Sequence, residues 1–372
     1  MGKPNILILT VPHGASHQGA ASGLARALVE IEPGATVEVV DALRHCARWF
    51  RAYYNSYEIP LKYWPGLWGW IESVQHRADS TGPRWLYRHG ARSLYRFIEG
   101  LTPDVVVATE VGVAELAALH KRAGGGQYRL VGVELMDFNQ AWVQPEVDLY
   151  IVTHEDLGAE LVAAGAARAK IVCSGQPLNP AFAALPSRDK ARARLGIEPE
   201  IPVLLVLFGG TGFGKPREIL NELQRLDRSL EVAFITGRNR RLEAEVRRLT
   251  QAQPRARALG WVDNVYEWMV AADLMVSKPG GSTLTEGFAC GLPMLAYDPL
   301  PGNERRTCAW IEKWGAGYWV RHTEELGPTV DRLLGNREEL ERLRTRAKAL
   351  ARPHAAYEGA RAILKLCQDS RQ

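Results

Sequence analysis

The sequence predicts an α/β protein made of two doubly wound parallel-sheet domains. Short apolar runs alternate with small-residue helical stretches along nearly the whole chain, the pattern of successive βαβ units. Several of those runs end in glycine-rich or Gly/His turns that open a helix, which is where such sheets bind ligands. And 372 residues are too many for one small core and suit two domains of roughly 150 to 200 residues each.

Composition narrows the class. Hydrophobic content of 46% and charged content of 24% are those of an ordinary globular protein. The five cysteines (Cys46, Cys173, Cys290, Cys308, Cys367) are odd in number and scattered, without a CxxC pair. Neither a disulfide framework nor a zinc site is expected, and a reducing cytoplasm fits. The apolar run 6–11 is too short for a signal-peptide core or a membrane span. A net charge of +4 favours anionic ligands or surfaces without demanding nucleic acid.

Taken in order, a first strand at 5–11 leads through Pro12-His13-Gly14-Ala15-Ser16-His17 into a small-residue helix at 20–30 and a second strand at 36–40. That unit places His17 at a strand's carboxyl end, where it is either a functional side chain or part of a helix start. No G-x-G-x-x-G stands at this turn, which disfavours a nicotinamide cofactor. From 49 to 97 the composition changes. Trp49, Tyr53, Tyr54, Trp64, Trp68, Trp70, Trp85, Tyr87 and Tyr95 crowd one segment, and between 44 and 100 there are nine Lys/Arg against four Asp/Glu. Aromatics mixed with arginines suit an anionic membrane interface; a Trp-rich helical hairpin packed on its own domain explains them equally well. No RNA or DNA module surrounds them, and no nucleic-acid partner is expected.

Strands resume at 104–108, 129–133 and 149–152. The stretch 178–202, with its Pro residues and a charged helix, reads as a linker between an N-terminal domain at 1–177 and a C-terminal domain at 203–350. A helix at 351–372 is expected to cross back to the N-terminal domain. The strand at 203–208 ends in Gly209-Gly210-Thr211-Gly212-Phe213-Gly214-Lys215-Pro216. This meets the spacing of a Walker A loop but puts Pro216 where the metal-holding hydroxyl belongs, so a glycine-rich phosphate or sugar turn is the better reading. Strands at 231–235 and 256–259 lead to Gly260-Trp261-Val262-Asp263-Asn264.

The strand at 274–276 then runs into Lys278-Pro279-Gly280-Gly281-Ser282-Thr283-Leu284-Thr285-Glu286. A helix start of this kind presents unpaired N–H groups at the positive end of the dipole, a ready anion site. Thr283 and Glu286 also spell a capping box, which needs no ligand. After a strand at 294–297 comes the polar turn Pro301-Gly302-Asn303-Glu304, and the tail is helical.

The order of these motifs resembles that of the GT-B glycosyltransferases related to MurG, family 28, and most closely the monogalactosyldiacylglycerol synthase and processive diacylglycerol glucosyltransferase group. The resemblance covers nearly the whole chain and is sharpest from 260 to 317. It implies two Rossmann-like domains facing across a cleft, the first binding acceptor and the second binding donor. It implies an inverting, metal-independent hexosyl transfer from a UDP-sugar, with no cofactor, to a diacylglycerol-like hydroxyl. The enzyme would lie peripherally on the cytoplasmic face of an anionic membrane.

Matching residues take the family's roles by that resemblance. Gly280, Gly281, Ser282 and Thr283 would hold the diphosphate, Glu286 the ribose hydroxyls, and Asn303 and Glu304 the donor sugar. Gly209, Gly210, Gly212 and Gly214 would close over the phosphates, with Val262 and Lys278 completing the donor set. His17 would be the general base, and Ser16, Glu110, Asp137 and Trp142 stand on the acceptor side. No D-x-D pair is present, so no metal is expected. The acceptor half departs from the family's pattern: Ala108-Thr109-Glu110-Val111 replaces S-T-H-P, and the segment from Met136 to Trp142 lacks a histidine. A GT-B nucleotide-sugar epimerase, a transferase with a non-lipid acceptor and a nucleotide-sugar-binding protein without transfer activity are the alternatives.

Overall fold

A computed structural model describes residues 3–12, 15–56, 64, 74, 78–136, 138–210, 212–300 and 303–369. The chain forms two compact units, Met1–Pro180 with His354–Gln372, and Ala181–Pro353. Each holds a six-stranded sheet in which every pairing is parallel.

In the first unit the strands β1 (Asn5–Thr10), β2 (Thr36–Asp41), β3 (Val105–Ala108), β4 (Arg129–Glu134), β5 (Leu149–Val152) and β6 (Ile171–Val172) lie in the order β2-β1-β3-β4-β5-β6. β1 is internal, with Ile6 paired to both Val37 and Val105. Helices cover the sheet, so β1 and β3 are apolar and buried almost throughout, whereas edge strand β2 is largely exposed. Helix α1 (Ala15–Ile31) presents Ala20, Ala21, Leu24, Ala27 and Leu28 to the core. Those small side chains let the last helix of the chain, α15 (Ala355–Asp369), lie against it through Ala356, Ala360 and Ile363. Tyr357 also donates its hydroxyl to Glu30 at 2.6 Å.

Between β2 and β3 come α2 (Arg48–Asn55), α3 (Arg84–Gly90) and α4 (Arg92–Leu101). Both readings of the aromatic segment find residues here. Phe50, Tyr87, Leu94 and Ile98 are core, and Gly90 leaves the room that the Phe50 ring fills. Trp49, Trp64 and Trp85 are exposed, Trp85 at 67%. Trp68 and Trp70 lie outside the described residues. Helices α5 (Val111–Arg122) and α6 (Glu155–Ala163) complete the unit.

The stretch read as a linker is packed structure. Its helix α7 (Arg188–Leu195) buries Arg192, which donates to the carbonyls of Ala271 and Ile201 and, at 2.9 Å, to the carboxylate of Asp273. Arg188 and Arg344 converge on that same carboxylate.

In the second unit β7 (Val203–Leu207), β8 (Glu231–Ile235), β9 (Ala256–Leu259), β10 (Leu274–Ser277), β11 (Met294–Tyr297) and β12 (Gly317–Val320) lie in the order β12-β11-β10-β7-β8-β9. The helices are α8 (Pro216–Leu223), α9 (Arg240–Thr250), α10 (Val265–Ala271), α11 (Gly281–Ala289), α12 (Asn303–Trp314), α13 (Leu326–Gly335) and α14 (Arg337–Leu350). In both sheets the first strand is internal, and the chain builds outward on one side before returning to the other. The order therefore reverses between β1 and β3, and again between β7 and β10. Loops leaving such a pair of strands diverge and open a crevice at the carboxyl edge.

Candidate functional site

At the second unit's reversal point the two loops are the glycine loop after β7 and the 278–280 turn after β10. The Ser277 hydroxyl donates to the carbonyls of Leu207 and Lys278, both at 2.9 Å, and so ties the two strands at the crevice floor. Helix α11 begins at Gly281 with Gly280 as N-cap and no side-chain cap. The capping-box reading is thereby corrected: Thr283 is the third helical residue and Glu286 the sixth, so neither sits where a box requires. The first-turn N–H groups at Gly281, Ser282 and Thr283 have no intrahelical acceptor.

Leu284, Gly287 and Phe288 form the buried face of α11, which leaves Ser282, Thr283 and Glu286 on its half-buried face. Glu286 has no hydrogen bond or ion pair to any described residue, and burial pushes its carboxyl up to about 8. Thr285, by contrast, spends its hydroxyl on the Gly281 carbonyl at 2.8 Å.

Two lysines and two carboxylates frame the helix start. Lys278 lies with its ammonium 3.8 Å from the Glu304 carboxylate and 5.6 Å from the centre of the Phe213 ring. Glu304, in the first turn of α12, accepts from the Leu300 N–H at 2.6 Å. Lys215, the N-cap of α8, pairs with Asp298 at 3.3 Å. Lys215 and Asp298 were not among the sequence-derived candidates. Asp298 carries a positive φ of 52° at the end of β11, a conformation rare outside glycine and concentrated at functional edges.

The four loop glycines divide. Gly209 has φ +69° and open space where a Cβ would stand, so its backbone is approachable. Gly212 and Gly214 have local reasons: a Cβ would overlap the Thr236 carbonyl oxygen at one and the Phe208 ring at the other. The Gly210 carbonyl accepts from the Arg238 N–H at 3.1 Å. Val262 is half-buried in the turn after β9, beside the exposed Trp261, whose ring carries the Arg238 guanidinium at 4.0 Å. Asn303 opens α12, and its side chain lies outside the described set.

At the first unit's reversal point, His17 is the third residue of α1 and Ser16 the second, both half-buried. The His17 Nδ1 lies 2.5 Å from the carbonyl oxygen of Thr109, at the end of β3. A carbonyl only accepts, so Nδ1 carries the proton and donates, leaving Nε2 with its lone pair outward. Sequence reasoning had no signal for Thr109, since the interaction uses its backbone. Glu110 caps α5, accepting from the N–H groups of Gly112 and Val113 at 3.1 and 3.0 Å, and it also accepts the Tyr54 hydroxyl at 2.6 Å. Trp142 is 3% exposed, its ring lies over Gly132 and its carbonyl accepts the Tyr150 hydroxyl at 3.0 Å, so the structure gives it a packing role. Asp137 lies outside the described residues.

Each unit therefore ends its sheet in a crevice of distinct chemistry: lysine–carboxylate pairs and a helix start without a side-chain cap in one, an oriented imidazole in the other. Residues 17–178 match the family model for monogalactosyldiacylglycerol (MGDG) synthase, and residues 203–350 match that for the glycosyltransferase family 28 C-terminal domain. The chain belongs to glycosyltransferase family 28. A processive diacylglycerol beta-glucosyltransferase of Bacillus pumilus is 28% identical to this glycosyltransferase over 270 residues, covering 72% of it and 70% of the relative.

Solved structures place its fold. A UDP co-structure of MnaA from S. aureus superposes with a TM-score of 0.66 at 13% identity, covering 98% of this chain and 97% of the other. MurG of Acinetobacter baumannii does so with 0.65 at 15% identity, covering 97% and 99%. At such identities the likeness establishes the GT-B fold, and the activity class rests on the family matches.

Proposed function

We propose that this family 28 enzyme transfers a hexosyl group from a UDP-sugar to the hydroxyl of a diacylglycerol-type lipid, inverting the anomeric carbon and using no metal ion. The observation that carries transfer, as opposed to binding alone, is the His17 Nδ1 contact to the Thr109 carbonyl at 2.5 Å. It fixes the tautomer in which Nε2 accepts a proton. The acceptor class is supported by the relative named as a diacylglycerol glucosyltransferase, and the donor class by the fold neighbour solved with UDP.

In this reading the acceptor oxygen attacks the anomeric carbon as its proton passes to His17 Nε2. The bond from that carbon to the diphosphate breaks, and UDP leaves with the electron pair. Preorganised N–H donors at Gly281, Ser282 and Thr283, with Gly280 allowing close approach, stabilise the charge that develops on the leaving oxygen. Lys278 adds a cation at the same edge, and the Gly209–Gly210 backbone closes over the phosphates. Glu286 bonds the ribose hydroxyls, Asn303 and Glu304 face the sugar, and Val262 lies against the base. The positive groups perform the charge compensation that a metal would otherwise supply. Peripheral contact with an anionic membrane at its cytoplasmic face is supported by the exposed Trp49, Trp64 and Trp85. Among the described residues no helix is long and apolar enough to cross a bilayer.

The test is UDP release from UDP-glucose, UDP-galactose and UDP-N-acetylglucosamine with and without diacylglycerol vesicles, in the presence of EDTA. Acceptor-dependent release that survives EDTA is expected. Conversion of the nucleotide sugar without an acceptor would overturn transfer in favour of an epimerase. His17→Ala should lower turnover by 10²-fold or more on the scale of general-base catalysis, with UDP affinity unchanged. Flotation with anionic vesicles at low salt tests the membrane contact, and failure to float counts against it.

A further inference from the structure

Tyr54 belongs to no motif of the donor or acceptor sets, yet its hydroxyl reaches 2.6 Å from the carboxylate of Glu110. Its ring is seated by Phe50 and Tyr87, with centroids 5.9 and 6.3 Å away. Gly112, in the first turn of α5, is placed so that any Cβ there would overlap the Tyr54 hydroxyl. A glycine inside a helix is destabilising relative to alanine. The close passage of Tyr54 is the structural reason for it here.

An N-cap alone needs only one carboxylate oxygen on one or two first-turn N–H groups. Glu110 has more. One oxygen takes the Gly112 N–H, while the other takes both the Val113 N–H and the Tyr54 hydroxyl. This third bond restrains the carboxylate and the side chain that carries it. The backbone of Glu110 is extended, with φ −143° and ψ 144°, and the peptide unit joining it to Thr109 bears the carbonyl that orients His17. On its other side Thr109 is fixed by its N–H to the Leu9 carbonyl at 3.1 Å. The peptide plane is thus clamped between the β1–β3 ladder and the Glu110 cap.

We infer that Tyr54 is a positioning residue for the transfer reaction, holding His17 in its reactive tautomer and direction through Glu110 and the Thr109 carbonyl. This rests on the reading of His17 as general base. Tyr54→Phe removes the hydroxyl and keeps the ring packing. Its kcat for hexosyl transfer should fall about tenfold, the scale on which misaimed catalytic groups lose rate, while KM for the UDP-sugar stays within about twofold because the donor crevice is untouched. In protein labelled with ¹⁵N-histidine, the His17 resonance, assigned by its loss in His17→Ala, should move from the Nδ1–H tautomer toward a mixture. Gly112→Ala should give the same pair of effects by displacing the hydroxyl. Unchanged kcat in Tyr54→Phe overturns the inference, as does a fall in kcat with the His17 resonance unmoved. Full activity in His17→Ala would instead sink the base reading itself, whatever Tyr54 does.

Discussion

At Glu286 burial governs the protonation of a carboxyl to which the proposed function gives the ribose hydroxyls. Its carboxyl titrates near 8 in the native state against an ordinary value of 4.5, so between those limits the folded protein holds a proton that the unfolded chain has released. Stability contributed at this site is intact below pH 4.5 and declines as pH rises through the window. Glu286→Gln removes the titration. Relative to the parent it should be unchanged near pH 4 and more stable by pH 8, by about 2 kcal/mol once water reaching the half-buried group is allowed for. Thermal melts from pH 4 to 9 check this, and a gain that ignores pH would contradict it. If Glu286 bonds the ribose, the same variant should bind UDP more weakly above pH 8, where an ionised carboxylate offers two acceptor oxygens to vicinal hydroxyls and the amide only one.

Elements show which motif positions are fixed by packing and which are left open. Gly212→Ala meets both a positive φ and the Thr236 carbonyl, so a loss of about 2–3 kcal/mol in urea melts is expected. Gly209→Ala meets the strained φ alone and should cost about 1 kcal/mol, while lowering donor affinity more than Gly212→Ala does.

At the opposite edge of the same sheet, Asp273 gathers Arg188, Arg192 and Arg344 and accepts the Val203 N–H at 2.9 Å. Burial opposes ionisation of its carboxyl. The guanidiniums and the N–H outweigh that effect and hold it below the usual range. Its contribution is therefore present above the unfolded pKa and lost as acid protonates the native state. Asp273→Asn should cost about 3–5 kcal/mol at pH 7, and the gap to the parent should close in acid, as denaturant melts at pH 7 and pH 3 would show.

The motifs of both crevices were legible because each lies within one loop of consecutive residues. What was not legible depends on residues brought from elsewhere in the chain. Thr236 explains Gly212, Tyr54 explains Gly112, and the cap of α11 is a backbone conformation at Gly280 that leaves no side-chain signature. The resemblance put Trp142 on the acceptor side because a tryptophan holds that place in the family's pattern, and the pattern gives no sign of the Gly132 over which its ring lies.

For the whole molecule, the two-sheet α/β architecture followed from apolar runs and turn chemistry, since strands covered on both faces advertise themselves as continuous Val/Ile/Leu segments. Edge strands β6 and β12 escaped that signal. One is two residues long, and the other begins at Gly317 with half its residues partly exposed. The final helix showed its amphipathy, and the structure adds its partner: Ala356, Ala360 and Ile363 belong to the same core as Leu24, Leu28 and Ile151. Deleting residues 355–372 should therefore expose that core. Hydrogen exchange should show α1 losing protection while β7 and β10 keep theirs; equal loss at β7 and β10 would contradict the placing of this helix in the first core alone.

That return of the chain to its first unit also sets an order in time. During synthesis the unit Ala181–Pro353 is complete once residue 353 clears the ribosome, whereas the unit carrying His17 waits, with one flank of α1 bare, for a helix translated after it. A nascent chain of this enzyme would thus complete the crevice at β7 and β10 before the one at β1 and β3. The chaperone-vulnerable interval falls on the unit that was made first.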